Sequence, residues 1–272
     1  MHDGNLDVVG LVPAAGRGNR IAPLPCSKEL YPIGFRRDEQ SGDLRARVAS
    51  HHLFEKFREA GVLRAYVILR NGKWDIPAYF GDGQMVGINV AYLAITDSLG
   101  PPDTLDRAYH FVEGKSVAVA FPDILFGPDD VFARLLARLR DTRADLVLGM
   151  YPAHDVRVLD MIDVDSEGRV RAIVLKPTSS DLRYTWLCAV WNPAFTRFMH
   201  TFLEHERAKA DPDRLAYRSI DAQGDLPVGA VIKAAIEKGL HVQGLAFPNE
   251  RYIDIGTPEN LMEAVRRSTS RL

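Results

Sequence analysis

Short apolar segments alternate with amphipathic segments along most of the chain. The apolar segments, many of them β-branched, predict strands at Val8 to Val12, Ala65 to Leu69, Val90 to Ile95, Val117 to Phe121, Leu146 to Met150, Val170 to Leu175 and Leu187 to Trp191. The amphipathic segments predict helices at Arg47–Ala60, Thr104–Val112, Asp129–Arg140, Pro193–Glu206, Val228–Lys238 and Pro258–Arg267. Because strands and helices alternate, we expect an α/β fold with a doubly wound, mostly parallel sheet.

One stretch breaks this alternation. Residues 161–175 alternate apolar and polar positions on both sides of a Ser-Glu-Gly turn, which predicts a hairpin and therefore a mixed sheet. The charged stretch Arg207–Gly224 predicts an exposed segment, either a mobile lid or a plain solvated loop. No stretch has the composition of an interdomain linker. This favours a single domain over residues 1–272, with inserted substrate-binding elements around residues 152–225.

Composition narrows the class of protein. The 272 residues are 46% hydrophobic and 26% charged, which is enough apolar surface for a folded core. A formal net charge of −2 provides no positive field for nucleic acid or for an anionic membrane. Cys26 and Cys188 are too few for a disulfide framework, and the first residues lack the pattern of a signal peptide. We therefore expect a soluble cytoplasmic protein that binds neither nucleic acid nor membrane.

The turn after the first predicted strand is rich in glycine and arginine. It runs from Pro13 to Arg20 and contains Gly16 and Gly18. Glycine lets backbone N–H groups turn inward around phosphate oxygens, and arginine neutralises the remaining charge. A tight connection is the alternative interpretation. The turn is neither a dinucleotide fingerprint, since a third glycine is missing, nor a Walker loop, since no Gly-Lys-Ser/Thr follows.

A second segment makes the pattern more specific. Residues 15–23 read Ala-Gly-x-Gly-x-Arg-x-x-Pro, and residues 27–33 read Ser-Lys-x-Leu-x-Pro-Ile. Together they resemble the opening of the sugar nucleotidyltransferases, most closely the glucose-1-phosphate thymidylyltransferase branch. The resemblance implies a Rossmann-like sheet of the nucleotide-diphospho-sugar transferase type. It assigns Arg20 to the departing pyrophosphate and Lys28 to the α-phosphate, and it wraps the loop over the triphosphate through Ala14, Ala15, Gly16, Gly18 and Asn19.

Two distant aspartates complete the triphosphate side of this resemblance. Asp123 follows a predicted strand, and open α/β sheets bind ligands at the carboxyl ends of their strands. Asp254 lies in a segment that resembles the family's aromatic-x-Asp-x-Gly-Thr-Pro. The resemblance makes both aspartates ligands of Mg²⁺, which is held by one or two carboxylates together with waters and substrate phosphates. Alternatively, Asp123 caps a turn and Asp254 caps the helix that begins near Pro258.

The acceptor side and the base side depart from the family pattern. Lys176 matches a family lysine that contacts the sugar phosphate, but Leu175 replaces the glutamate that precedes it. Gln223 stands in place of an arginine that contacts the same phosphate. Leu99 stands in place of a base-reading glutamine, and Thr104 in place of a glycine beside the base. The resemblance therefore assigns Leu99 and Thr104 to the nucleotide and leaves the base and the acceptor open.

These patterns favour a magnesium-dependent nucleotidyltransferase. It would join a sugar 1-phosphate to a nucleoside triphosphate, with dTTP or UTP expected, and release pyrophosphate. Two alternatives stay open, namely a transferase for a non-sugar phosphate such as a phosphorylated amino alcohol, and a catalytically weakened nucleotide-binding regulatory homologue. Retention of Lys28, Asp123, Lys176 and Asp254 argues against the second. The resemblance also implies a homo-oligomer.

Overall fold

The computed structural model describes residues 7–37, 42–209 and 225–269. The strands are β1 (Val8–Ala14), β2 (Pro32–Arg37), β3 (Leu44–Val48), β4 (Arg64–Arg70), β5 (Asn89–Ile95), β6 (Ser116–Ala120), β7 (Ile124–Phe126), β8 (Leu146–Pro152), β9 (Met161–Val164), β10 (Val170–Val174), β11 (Tyr184–Trp191), β12 (Val242–Ala246) and β13 (Tyr252–Asp254). The helices are α1 (His51–Glu59), α2 (Asp75–Phe80), α3 (Pro101–Asp106), α4 (Tyr109–Val112), α5 (Val131–Thr142), α6 (Pro193–Lys209), α7 (Val228–Glu237) and α8 (Pro258–Thr269).

A single large sheet organises the described part of the chain. Strands β5, β4, β1 and β6 pair in parallel in that order, and β11 pairs antiparallel with β6. Beyond β11 the sheet continues through β8 and β12 and, separately, through the β9–β10 hairpin. Of these strands, only β10 and β11 run against the common direction. The prediction of a mixed, mostly parallel sheet is confirmed.

Apolar residues on opposite faces of the sheet enter different cores. In β1, Val9 and Leu11 pack with helices α6 and α7, whereas Val12 and Ala14 pack with α1 and α5. Strands β4 and β6 alternate in the same way, so the sheet is covered on both faces, as a doubly wound fold requires. A small third cluster packs α8 against β2 and the turn at Ile21.

Several local predictions differ from the structure. The helix expected from Arg47 begins at His51, because the arginine-rich stretch before it pairs as the β2–β3 hairpin. The helix expected over Thr104–Val112 is divided between α3 and α4. The expected hairpin is confirmed as β9–β10, and Asp165 caps its turn by accepting the backbone N–H groups of residues 167 and 169.

Two other expectations concern the proposed lid and the membrane. Helix α6 extends to Lys209, so it occupies the beginning of the proposed lid, and residues 210–224, including Gln223, lie outside the described residues. Among the helices that are described, none is long and apolar enough to cross a membrane.

Candidate functional site

A cleft opens where several parallel strands end. The carboxyl ends of β1, β4, β5 and β6 meet at one edge of the sheet, and the loops that follow them enclose a space of about 380 Å³. Its lining is formed by Pro13, Ala15, Gly16, Arg17, Gly18, Asn19, Arg20, Lys28, Glu29, Arg70, Asp97, Ser98, Gly100, Pro101, Thr104, Phe121, Asp123, Asp225 and Gly256. Most residues that the sequence assigned to the triphosphate therefore line a single cleft.

The glycine-rich loop after β1 folds over Lys28. Gly18 has a φ of +69°, a conformation that favours glycine, and its carbonyl accepts the backbone N–H groups of Ile21 and Ala22 at 3.1 Å. A Cβ on Gly16 would lie 3.8 Å from Lys28 Nζ. Since no side chain intervenes, the backbone of the loop and the lysine ammonium can face one ligand together.

Lys28 is held by a buried carboxylate. It begins a short 3₁₀ helix, and its Nζ forms an ion pair with Asp123 Oδ2, with side-chain exposures of only 14% and 12%. Burial by itself would lower the pKa of Lys28. The charge and hydrogen bond of Asp123, followed by the charges of Glu29 and Asp254, outweigh burial and raise the pKa above its ordinary value. The lysine is therefore a fixed positive charge in the cleft.

A two-stranded sheet brings the two predicted metal ligands together. Strands β7 and β13 pair antiparallel with Asp254 opposite Ile124, and the N–H of Ile255 donates to the carbonyl of Asp123 at 3.0 Å. Asp254 Oδ2 lies 3.6 Å from the guanidinium of Arg20. Asp254 Oδ1 accepts the N–H of Gly256 at 2.8 Å, so this carboxylate also caps a turn. Thus Arg20 and Asp123 line the cleft, and Asp254 lies beside Arg20, although it is not itself among the lining residues.

The donor set fits Mg²⁺ only if substrate supplies further ligands. Within the described ranges, no group of three or more His, Cys, Asp or Glu side chains could hold a metal ion. Two neighbouring carboxylates are nevertheless sufficient for Mg²⁺, which keeps several waters and coordinates substrate phosphates. Asp123 and Asp254 therefore suit a metal that arrives with a nucleotide.

Two residues assigned to the nucleotide do not line the cleft. Ala14 is buried inside the sheet opposite Leu69. The side chain of Leu99 is also buried, and its backbone N–H donates to Asp103 Oδ2 while its carbonyl accepts the N–H of Leu226, both at 2.8 Å. Its neighbours Ser98 and Gly100 line the cleft in its place. Thr104 does line the cleft, and its hydroxyl lies 2.9 Å from that of Ser98.

Lys176 and Leu175, the residues predicted to meet the acceptor, are not among the residues that line this cleft. Lys176 follows β10, is exposed, has a φ of +38° and is not among the lining residues. Beside it lies Asp160, whose pKa is raised by burial and lowered less strongly by the charge of Lys176. A Cβ on Gly229 would lie 2.8 Å from Leu175 and 2.2 Å from Asp160 Oδ2, which shows how closely these residues pack on helix α7.

Sequence reasoning missed several cleft residues. Glu29 is buried, and its Oε1 accepts Lys73 Nζ at 2.7 Å. Arg70, the last residue of β4, lines the cleft between the loops that follow β1 and β5. Its position at a strand end was the available signal, because neighbouring parallel strands place their carboxyl ends at one edge.

Comparison with known proteins gives a family and a fold. The family model described as nucleotidyl transferase matches residues 9–271. The mannose-1-phosphate guanylyltransferase of Mycobacterium tuberculosis is 27% identical over 173 residues, which are 63% of this chain and 44% of that protein. The matched part thus spans less than half the length of that relative.

Solved structures share the whole fold at low sequence identity. A protein described as a glucose-1-phosphate thymidylyltransferase from Bacillus anthracis, in complex with a sucrose, superposes with a TM-score of 0.76 at 16% identity, over 96% of this chain and 95% of that one. A UDP-glucose pyrophosphorylase with UDP-glucose gives 0.77 at 14% identity, over 98% and 100%. A UTP-bound UGPase from Acinetobacter baumannii gives 0.73 at 15% identity, over 98% and 95%.

Proposed function

Because the chain belongs to the nucleotidyl transferase family, we propose that it joins a sugar 1-phosphate to a nucleoside triphosphate and releases pyrophosphate. The observation that carries this proposal is the convergence of Arg20, Lys28 and Asp123 at one cleft, with Asp254 beside Arg20, although they come from distant parts of the sequence. The relatives and structural neighbours named above support sugar phosphates as the acceptor class.

In the proposed reaction, a phosphate oxygen of the acceptor attacks the α-phosphorus of the nucleotide. A new P–O bond forms there, and the bond between the α-phosphorus and the bridging oxygen breaks with departure of pyrophosphate. Negative charge grows on the oxygens around the α-phosphorus and on the leaving group. The fixed ammonium of Lys28 stabilises the first charge without reorganisation during the step, and Arg20 stabilises the second.

Asp123 and Asp254 would hold Mg²⁺ with the triphosphate. When bound, the ion neutralises phosphate charge that the protein's own cations do not reach. Lys28 remains beside Asp123, so the carboxylate orients the lysine as well as offering a ligand. Binding of the nucleotide and of the metal should therefore depend on each other.

The proposal also specifies which nucleotide is used and which residue contacts the acceptor. We expect dTTP or UTP as the nucleotide and Lys176 as the contact to the acceptor phosphate. Glucose 1-phosphate should be a poor substrate, since Leu175 offers no hydrogen bond to sugar hydroxyls. We further propose a cytoplasmic location, where the free thiols of Cys26 and Cys188 stay reduced, and a homo-oligomeric assembly.

A pyrophosphate-release panel tests the proposal. The purified chain is incubated with Mg²⁺, each of dTTP, UTP, GTP and ATP, and either one of a series of sugar 1-phosphates or a phosphorylated amino alcohol, with a no-acceptor control. Pyrophosphate release that requires a sugar 1-phosphate is the expected result. Release only with a phosphorylated amino alcohol would identify a non-sugar transferase, and nucleotide binding without release from any pair would identify a regulatory homologue. Either outcome would contradict the proposed reaction.

A further inference from the structure

Arg70 lies between the two loops that form opposite walls of the cleft. Strand β4 pairs with β1 on one side and with β5 on the other, with Leu69 opposite Ala14 and Arg70 opposite Ile95. The loop after β1 is the glycine-rich phosphate loop, and the loop after β5 contains Ser98. Strand pairing cannot join these loops directly, because β4 separates their strands.

The guanidinium of Arg70 contacts both loops. Its Nε donates to the carbonyl of Ala15 at 3.0 Å. Its Nη1 donates to the carbonyl of Thr96 at 3.4 Å and lies 3.7 Å from Asp97 Oδ1. The side chain is 24% exposed and lines the cleft. A planar guanidinium presents its donors in a fixed geometry, so it can set the distance between the two carbonyls.

Local contacts already shape the loop after β5. Asp103 Oδ2 accepts the N–H of Leu99 at 2.8 Å, and the hydroxyls of Ser98 and Thr104 are 2.9 Å apart. These bonds fix the internal form of the loop. They do not fix its position relative to the phosphate loop, which is the contribution that Arg70 can make.

We propose that Arg70 is a positioning residue that sets the separation between the wall that receives the phosphates and the wall that receives the nucleoside. This inference rests on the proposed function, because it takes a nucleoside triphosphate as the ligand that spans both walls. Removal of the bridge lets the walls move independently. A nucleotide then loses affinity, and the fit of its base to the second wall becomes less selective.

The experiment measures nucleotide binding by calorimetry. The parent, Arg70→Met, Arg70→Lys and the control Arg64→Met are titrated with dTTP, UTP, GTP and ATP in the presence of Mg²⁺. Arg64 lies at the other end of β4, is half-exposed and forms an ion pair with Asp7, so it matches Arg70 in residue type and strand but lies far from the two loops. Thermal melting checks that each variant is folded, and Arg70→Lys keeps the charge if Arg70→Met does not fold.

The expected result separates positioning from simple charge. Arg70→Met should weaken binding of the preferred nucleotide roughly tenfold, the effect of losing charge-assisted hydrogen bonds, and should reduce the ratio between nucleotides. Arg70→Lys should restore less than half of the selectivity that Arg70→Met loses, because a single ammonium cannot present donors to both loops in the fixed geometry of a guanidinium. Arg64→Met should bind like the parent.

Three other outcomes would each contradict a different part of the argument about Arg70 and the proposed reaction. Unchanged binding by Arg70→Met, or equal weakening for all four nucleotides, would overturn the inference about Arg70. Selective binding by the parent without pyrophosphate release from any acceptor would overturn the proposed reaction alone. Failure of the parent to bind any nucleotide would overturn both.

Discussion

At the scale of single residues, the cleft depends on carboxylates that would be costly to bury alone. Asp123 is buried beside Lys28, and Asp254 lies beside Arg20, so each carboxylate has a cation that partly neutralises it before substrate arrives. The side chains that would hold the metal therefore also arrange the cations that would stabilise the transferred phosphate. Changes at both aspartates should therefore lower catalysis, and a change at the more deeply buried Asp123 should also lower stability.

Asp123→Asn and Asp254→Asn should each lower kcat by roughly 100-fold or more, because an amide is a poor Mg²⁺ ligand and cannot balance the adjacent cation. Steady-state pyrophosphate release over a Mg²⁺ titration measures the effect. Asp130→Asn is the control, since Asp130 is exposed and makes no side-chain cap to helix α5. Parent-like kcat in either cleft variant would contradict a metal-binding role.

Selection of the base should not depend on Leu99. Its side chain is 5% exposed and does not line the cleft, so Leu99→Gln should leave the ratio of kcat/KM for dTTP and UTP within about tenfold, as in the parent. The variant should also melt at a lower temperature, because an amide would be buried. Ser98→Ala, which removes a hydroxyl from the cleft, is the comparison variant. A strong dTTP preference created by Leu99→Gln would show that residue 99 reaches the base.

Single residues also show what a sequence pattern can predict. Arg20, Lys28, Asp123 and Asp254 carried motif information, and the structure places them together. The absence of Leu99 from the cleft could not be predicted, since a motif position does not say which way a side chain points. The catalytic and binding roles of the four residues that lie together remain predictions.

At the scale of secondary-structure elements, a buried ionic cluster joins helices α3 and α6. Arg207 donates through Nε to Asp103 Oδ1 at 2.7 Å and through Nη2 to Asp106 Oδ2 at 2.6 Å. Both aspartate side chains are 1% exposed. His200, about two turns earlier on α6, lies 3.0 Å from Asp106. Helix α3 is thus fixed to α6 by charge as well as by apolar packing.

Arg207→Met should lower the free energy of unfolding by about 3 kcal/mol, because it leaves two buried carboxylates without their main counter-charge. Urea denaturation of parent and variant measures this difference. Arg197→Met, at an exposed position of the same helix, is the control and should change stability little. A loss no larger than that of the control would show that the two aspartates are stabilised by other groups.

The sequence predicts a secondary-structure element well when its buried residues form a regular pattern along the chain. Strand β6 is buried at every residue, so its apolar run was clear in the sequence. The β2–β3 hairpin alternates exposed arginines with few buried residues, so the sequence predicts no strand there and assigns the end of β3 from Arg47 to the following helix. Strands β7 and β13 have three residues each, too few for any periodicity, although their pairing brings Asp123 and Asp254 together.

At the scale of the whole molecule, buried histidines should make stability depend on pH. Burial, assisted by the cation of Lys56, lowers the pKa of His52 from 6.5 to about 3, and its Nε2 contacts the backbone of Phe126. Burial, assisted by Arg36 and Arg47, lowers the pKa of His51 from 6.5 to about 4. Both rings are therefore neutral in the folded state at pH values where the unfolded chain binds protons.

The free energy of unfolding should accordingly fall as the pH is lowered from about 6.5 toward 4, because the unfolded state takes up protons that the folded state does not. The dependence should fade over about one pH unit above 6.5, because the unfolded histidines are still half protonated at pH 6.5. Urea denaturation at several pH values measures the slope, and His52→Gln should make it shallower. His110→Gln, at an exposed position, should leave the slope unchanged. Identical slopes in all three proteins would exclude His52 as the cause.

The pairing of β13 with β7 also determines when the site can exist during synthesis. Asp254 is translated 226 positions after Lys28 (254 − 28), and helix α8 follows it. At about 5–20 residues per second, the growing chain spends roughly 10–45 s with a phosphate loop that has no second carboxylate. Nascent chains can therefore fold most of the sheet while the proposed site stays incomplete until β13 has been translated.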